Sequence, residues 1–286
     1  MGQHYTPQAY LRPFQAPEAC GMIWTYPRDD EPRLVPIKNV AQASGFYEPD
    51  QESDLHTYIE APANPILDKL RRGEMISREE RERVAIYVAT MVSRVPRQRE
   101  RGKALIPEAQ GETLTQARKA LRVRAALHGT PPEQLRKWLD NVSIVEKQWS
   151  VETPASVIEE VRSPWPHEIV IRLIYGMQWR VIVAEQPEMF ITSDNPAFFF
   201  ESIGMAKDQA EVSFPLSPTS CFHCCHQRIP GGGDLAFMPF SGELVREMNR
   251  RTASAATSIV MAHRKESWPT KLLQRKPDLH GIDWSR

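Results

Sequence analysis

The stretch Ile169-Val-Ile-Arg-Leu-Ile-Tyr-Gly-Met-Gln-Trp-Arg-Val-Ile-Val-Ala184 changes character at Gly176, and that change decides the fold class. Upstream, Ile169, Val170, Leu173 and Ile174 recur at helical spacing behind Ser163-Pro164, a cap residue and a proline suited to a first helical turn. Downstream, Trp179 to Ala184 is rich in β-branched residues and reads as a strand. More short β-rich runs follow between turns: Met189 to Thr192, Ala197 to Phe200, Val212 to Phe214 and Ser220 to Cys225.

Working outward, residues 53–177 read as helical. Ile59, Ile66 and Leu70 carry one helix to Gly73, a suitable C-terminal stop. Ser77 with Glu80 forms a capping box for a second helix, with the stripe Val84, Val88, Met91 and Val95 and a boundary at Pro96. Residues 112–128 and 133–140 are two further helices around Gly129-Thr-Pro-Pro132, and Thr153-Pro154 is another helix start. At the N-terminus, Met22 to Tyr26 and Arg33 to Ile37 flank a polar turn and read as a β-hairpin. Residues 241–262 return to a helix. The expectation is an α+β fold in a single domain, 1–286. A mixed or antiparallel sheet joins the N-terminal hairpin to the C-terminal half, with β-rich parts at 1–47 and 178–226.

Composition narrows the class of protein. The chain has 286 residues, of which 41% are hydrophobic and 25% charged, as in an ordinary globular protein. Lys+Arg and Asp+Glu are equal at 36 each, so any attraction for nucleic acid or membrane must come from local patches. The opening Met-Gly-Gln-His-Tyr-Thr-Pro lacks the basic and apolar regions of a secretory signal, and no apolar run is long enough to span a bilayer. Met1-Gly2 with Thr6 fits a myristoylation pattern, but no polybasic stretch follows. Cys20 stands apart from Cys221, Cys224 and Cys225, which is no disulfide framework; a reduced, cytoplasmic setting is expected.

No phosphate-cradling glycine loop, dinucleotide fingerprint, Gly-x-Ser-x-Gly elbow or His-Glu-x-x-His is present, and Gly231-Gly-Gly233 has no lysine after it. In Cys221-Phe-His-Cys-Cys-His226, a strand sends Cys221, His223 and Cys225 to one side and Phe222, Cys224 and His226 to the other. With no second cysteine pair for a tetrahedral zinc, this reads as a buried strand with satisfied histidines. A basic series, Arg94, Arg97, Arg99, Arg101 and Lys103, then Arg118, Lys119, Arg122 and Arg124, offers a face for an anionic ligand, chiefly at Arg94, Arg97, Arg118 and Arg122. The competing account is a solvated helix surface. Thr192-Ser-Asp-Asn-Pro196 is a turn that holds a carboxylate and an amide at the end of a strand.

The series His4-Tyr-x-Pro-x-x-Tyr-Leu-x-x-Phe14, Phe46-Tyr47, Glu60, Arg94-Val-Pro-Arg97, Thr192-Ser-Asp-Asn-Pro196 and Pro215-Leu-Ser-Pro218 resembles the family known as domain of unknown function 4238, from residue 4 to about 262. The resemblance implies one shared architecture and no particular reaction. Two functions stay open. One is a hydrolase-type enzyme, acting on a phosphate-containing or nucleic-acid substrate, with His4, Glu60 and Asp194 as catalytic or metal-binding groups. Tyr5, Gln8, Arg94, Arg97, Ser193, Asn195 and Asn249 would then hold the substrate. The other is a non-catalytic binding module with a basic helical face. No metal or cofactor is specified. His4, Glu60 and Asp194 are expected to approach one another, because the aromatic N-terminal segment should pack on the sheet beside the Ser193-Asp194-Asn195 turn, with Glu60 placed there by the resemblance and by its position ahead of an apolar helix.

Overall fold

The computed structural model describes residues 2–48, 50–154, 159, 163–227, 234–240, 242–274 and 279. Two compact units are present: one is Met1–Arg97 with Pro164–Arg286, the other Gln98–Ser163. The helix read after Pro154, the Gly231 to Gly233 loop and Met1 of the lipidation pattern lie outside the described residues.

In the first unit the N-terminal segment folds into short pieces. Strand β1 (Gln3–His4) leads to α1 (Gln8–Leu11) and a 3-10 turn, Arg12–Phe14; β2 (Met22–Pro27), β3 (Arg33–Pro36) and β4 (Gln42–Ala43) follow. Pro7 at the cap has the φ that its ring imposes and starts α1 without a donor to satisfy. Tyr10, Leu11 and Phe14 are fully buried, and at about 2 kcal/mol each this burial anchors a terminus that would otherwise fray. β1 pairs antiparallel with β4. Just before β4, Ala41 takes a φ of 52°, uncommon for a residue with a Cβ, and its carbonyl accepts the amides of Tyr5 (3.1 Å) and Thr6 (3.4 Å).

The helical layer of this unit is α2 (Gln51–Leu55), a π-helical turn at His56–Glu60, α3 (Ala61–Arg71), α4 (Arg78–Ser93) and, later, α7 (Glu168–Gly176). Gly73, at a φ of 77°, ends α3 in the left-handed conformation only glycine adopts freely. Ser77 and Glu80 cap α4 reciprocally. Arg81 donates to the carbonyls of Tyr175 (3.1 Å) and Met177 (2.7 Å), satisfying the exposed end of α7.

The helix-to-strand change at Gly176 stands: α7 is followed at once by β5 (Gln178–Ala184). Then come β6 (Thr192–Ser193), β7 (Phe198–Phe199), β8 (Glu211–Ser217), β9 (Ser220–Cys225), β10 (Leu235–Phe240), α8 (Glu243–Ala255), β11 (Ile259–Ala262) and α9 (Trp268–Gln274). One sheet has the order β10-β5-β9-β8-β7, with β10 parallel to β5 and the other pairs antiparallel. The second, β3-β2-β11-β6, joins the N-terminal hairpin to strands from the C-terminal half. The larger sheet is covered on both faces. Leu67, Leu70, Val84, Val88 and Met91 share a core with Val181, Phe214 and Phe222, whereas Ile182, Cys221 and Cys225 pack with Val245 and Met248. The fold is α+β.

The second unit is described by α5 (Pro96–Leu127), whose first two residues belong to the first unit, and α6 (Pro132–Val151). Gly129 at a φ of 60° and the Thr130 amide on Ala125 O (2.9 Å) end α5, and Pro131-Pro132 opens α6. Arg118 pairs with Glu146 at 2.6 Å, and Arg124 lies over the Trp138 ring. Both helices outrun the expected 112–128 and 133–140, since weakly apolar charged turns carry no period to read. The expected helix over 241–262 is also corrected: α8 stops at Ala255, and 259–262 is a strand inside the second sheet. Among the described residues no helix is long and apolar enough to cross a membrane.

Candidate functional site

Arg94 is the centre of the N-terminal motif. It follows α4, whose capping box and apolar stripe fix the helix and so deliver a guanidinium at 1% exposure. Its Nε donates to Tyr47 Oη (2.9 Å), Nη1 to Glu60 Oε1 (2.5 Å) and Nη2 to the His4 carbonyl (2.6 Å). Burial alone would weaken its charge, but Tyr47 and Glu60 outweigh it and hold the guanidinium above its ordinary pKa. Glu60 is the last residue of the π-helical turn, and from there its carboxylate reaches Arg94. Its other oxygen lies 3.5 Å from Nδ1 of His56, an imidazole 63% exposed at the rim.

His4 contributes its backbone to this centre, and its ring points elsewhere. Nε2 lies 3.0 Å from Lys38 O, a carbonyl that can only accept, so Nε2 carries the proton. Nδ1 faces Glu52 at 3.6 Å, and the same carboxylate oxygen accepts the His4 amide at 2.8 Å. Both ring nitrogens therefore have a neighbour within the protein. Tyr5 is buried, and burial with the nearby Asp194 charge pushes its phenol well above the ordinary range.

The Ser193-Asp194-Asn195 turn is also spent internally. Asp194, fully buried, accepts the amides of Thr257 (2.8 Å), Ser258 (2.8 Å) and Ile259 (3.3 Å) and the Ser258 hydroxyl (2.7 Å). These bonds tie the turn to the start of β11. Burial still raises its pKa, against the four donors that lower it. Asn195 donates to Ala255 O (2.9 Å), and Ser193 closes the turn on Asn195 O (2.8 Å). Asn249 on α8 clamps the approach, accepting from Ile191 N (3.0 Å) and donating to Met189 O (2.8 Å). Tyr10 crosses between segments: Thr192 donates to its hydroxyl (2.7 Å), which donates to Pro215 O (2.7 Å).

Thus His4 and Glu60 meet through Arg94, whereas Asp194 joins the N-terminal segment through the Thr6 hydroxyl on its carbonyl (3.4 Å) and the nearby Tyr5 ring. Gln8 is half-buried at the start of α1. Arg94 and Arg97 leave the proposed anion face. Arg94 is buried, and Arg97 donates to Glu201 (3.1 Å) and Ser254 O (2.9 Å). Arg118 and Arg122 remain on α5, the first paired with Glu146 and the second exposed.

Sequence reasoning missed a second buried centre. Glu211 on β8 lies 3.2 Å from His223 Nε2 on β9 and accepts from Arg251 of α8 at 2.7 Å; Arg251 also holds Glu247 at 3.1 Å. Arg180 of β5 donates to Cys225 Sγ at 2.9 Å. Burial would raise Glu211, yet the His223 hydrogen bond and the Arg251 charge carry it down to about 2. Burial pushes His223 down to about 4, so at neutral pH it is an uncharged donor to an ionised carboxylate. The signal available was the strand parity of Cys221, His223 and Cys225. Nothing local marked Glu211 or Arg251 as its partners.

This is an α+β protein whose motif residues close buried polar centres. The chain belongs to the family described as protein of unknown function (DUF4238), whose model matches residues 2–266. The comparisons with curated proteins and with solved structures give no match.

Proposed function

We propose that this chain is a binding protein, in which the motif residues hold a rigid frame and the α5–α6 hairpin meets the partner. The observation that supports this most is how the motif spends its polar atoms. Arg94, Asp194, Asn195 and the His4 Nε2 are occupied by partners within the protein, and the His4 Nδ1 faces Glu52 at 3.6 Å, which leaves little for a substrate. By contrast, the hairpin exposes Leu105, Val123, Leu127 and Ile144. The four cysteines of the chain are free thiols, which supports a cytoplasmic setting. The test is a hydrolysis panel of phosphoesters, carboxyl esters, peptides and oligonucleotides, run on the intact protein and on Glu60→Gln. No turnover is expected. Turnover that Glu60→Gln removes while the thermal midpoint holds overturns the reading.

A second reading, a hydrolase of phosphate-containing substrates, is favoured by one observation: the π-helical turn sets the Glu60 carboxylate between Arg94 and the exposed His56. There His56 would shuttle the proton and Glu60 would orient it. The same panel with His56→Gln separates the two, since a frame residue so exposed changes no turnover and little stability.

A further inference from the structure

α5 carries two different faces. One buries Leu114 and Ala125; the other is an exposed stripe of Leu105, Ala109, Gln116, Ala120, Val123 and Leu127 at helical spacing. The stripe is symmetric about Gln116: Leu105 and Leu127 stand equally far from it along the chain, and so do Ala109 and Val123. On one flank of the stripe, charge changes sign near Gln116. Glu108 and Glu112 precede Gln116 and Lys119 and Arg122 follow it; all four are exposed, and at about 100° per residue they lie on one flank of the stripe.

A stripe with these properties complements itself when turned end for end. We propose that a second copy of this chain covers it, the two α5 helices packing antiparallel about a two-fold axis at Gln116. Leu105 then packs on the partner copy's Leu127, Ala109 on its Val123, Glu112 beside its Lys119 and Glu108 beside its Arg122. The partners are reciprocal, as a two-fold interface requires. A parallel pair would put these flanks on opposite sides of the seam and form neither ion pair, whereas the antiparallel pair brings them to the same side, so charge selects the antiparallel arrangement. Small side chains at Ala109 and Ala120 allow close approach, and the opposed helix dipoles add to the preference. This inference rests on the hairpin as the partner-binding surface and names the partner.

The experiment uses the full chain. Sedimentation velocity over a concentration series should show a reversible dimer. Glu112→Lys should weaken it about tenfold through like charges, and Glu112→Lys with Lys119→Glu should restore it. In a Cys20→Ser background, Gln116→Cys should cross-link to itself under mild oxidation, and Leu105→Cys should do so much more slowly, because its opposite number is Leu127. Circular dichroism on each variant verifies that α5 stays helical. A monomer at every concentration, or Gln116→Cys linking no faster than Leu105→Cys, overturns the second-copy partner and leaves the binding reading standing. Hydrolysis dependent on Glu60 overturns that reading and leaves the dimer untouched.

Discussion

Arg94 and Arg122 lie on neighbouring stretches of chain and live in opposite surroundings. Arg94, at 1% exposure, spends Nε, Nη1 and Nη2 on Tyr47, Glu60 and the His4 carbonyl; Arg122 stands exposed on α5. The same contrast separates the two units. In the first, charges are drawn into the core and must be matched there; in the hairpin they stay in water. A buried ion costs several kcal/mol to desolvate and is tolerated only with its partners in place, whereas an exposed one interacts weakly and can be exchanged freely. The first unit should therefore be brittle to charge changes, and the hairpin forgiving.

The largest test of that contrast is Arg94→Met. It leaves Glu60 buried without its cation and removes the donor to the His4 carbonyl, so a loss of about 3–5 kcal/mol is expected in urea unfolding. A loss under about 1 kcal/mol would mean that the centre is not load-carrying and would break the comparison. Acid should act on the second centre. His223, lowered from 6.5 to about 4, binds its proton more readily in the unfolded chain, so stability falls as pH drops through that window. Glu211, lowered from 4.5 to about 2, has its stabilisation present above 4.5 and loses it as pH falls toward 2. Asp194 works in the opposite sense, because its raised pKa makes the folded state the better proton binder, and it offsets part of the Glu211 loss. Unfolding free energies at pH 7, 5.5 and 4 should decline by on the order of a few kcal/mol, and His223→Gln should flatten the upper part of the curve. A flat wild-type profile sinks the assignment.

Asp194→Asn comes next. The amide keeps one acceptor but turns a donor toward amides that also donate, so about 1–3 kcal/mol should be lost, with β11 exchanging its amide protons faster than β5. Equal exchange in the two strands would show that the turn does not tether β11. Smallest is Arg118→Ala on the hairpin. It breaks an ion pair whose Glu146 is half exposed, and less than about 1 kcal/mol should follow. A larger effect would show that the hairpin depends on its charges as the first unit does.

Much of the architecture was legible because its signals are local. Ser77 with Glu80, the change at Gly176 and the hairpin around residues 27–32 each lie within a few positions of the element they define. The candidate site was legible only as a set of members. His4, Glu60, Arg94 and Asp194 all sit in buried or half-buried polar centres, but apart from the bonds of Arg94 to Glu60 and to the His4 carbonyl their partners are Lys38, Glu52, Tyr47 and residues 257–259 rather than one another. The basic series 94–124 looked continuous along the chain and is divided in space, since Pro96 starts a new helix at the point where Arg94 turns inward.

What the sequence by itself determined is the α+β class, the Ser77–Glu80 cap, the helix stops at Gly73 and Gly129, and the two-sided burial of Cys221 to Cys225 implied by strand parity; the helix read from Ser163-Pro164 instead starts at Glu168. Those follow from backbone sterics and from periods of two and 3.6, which need no distant partner. Only the tertiary structure decided that Glu211 meets Arg251 across 40 positions, that Glu60 at the end of the π-helical turn meets Arg94, and that Asp194 ties down β11. A carboxylate has no period and no preferred sequence separation from its cation. Its partner is chosen by which surfaces the apolar core brings together, and until that core is packed the charge is simply solvated.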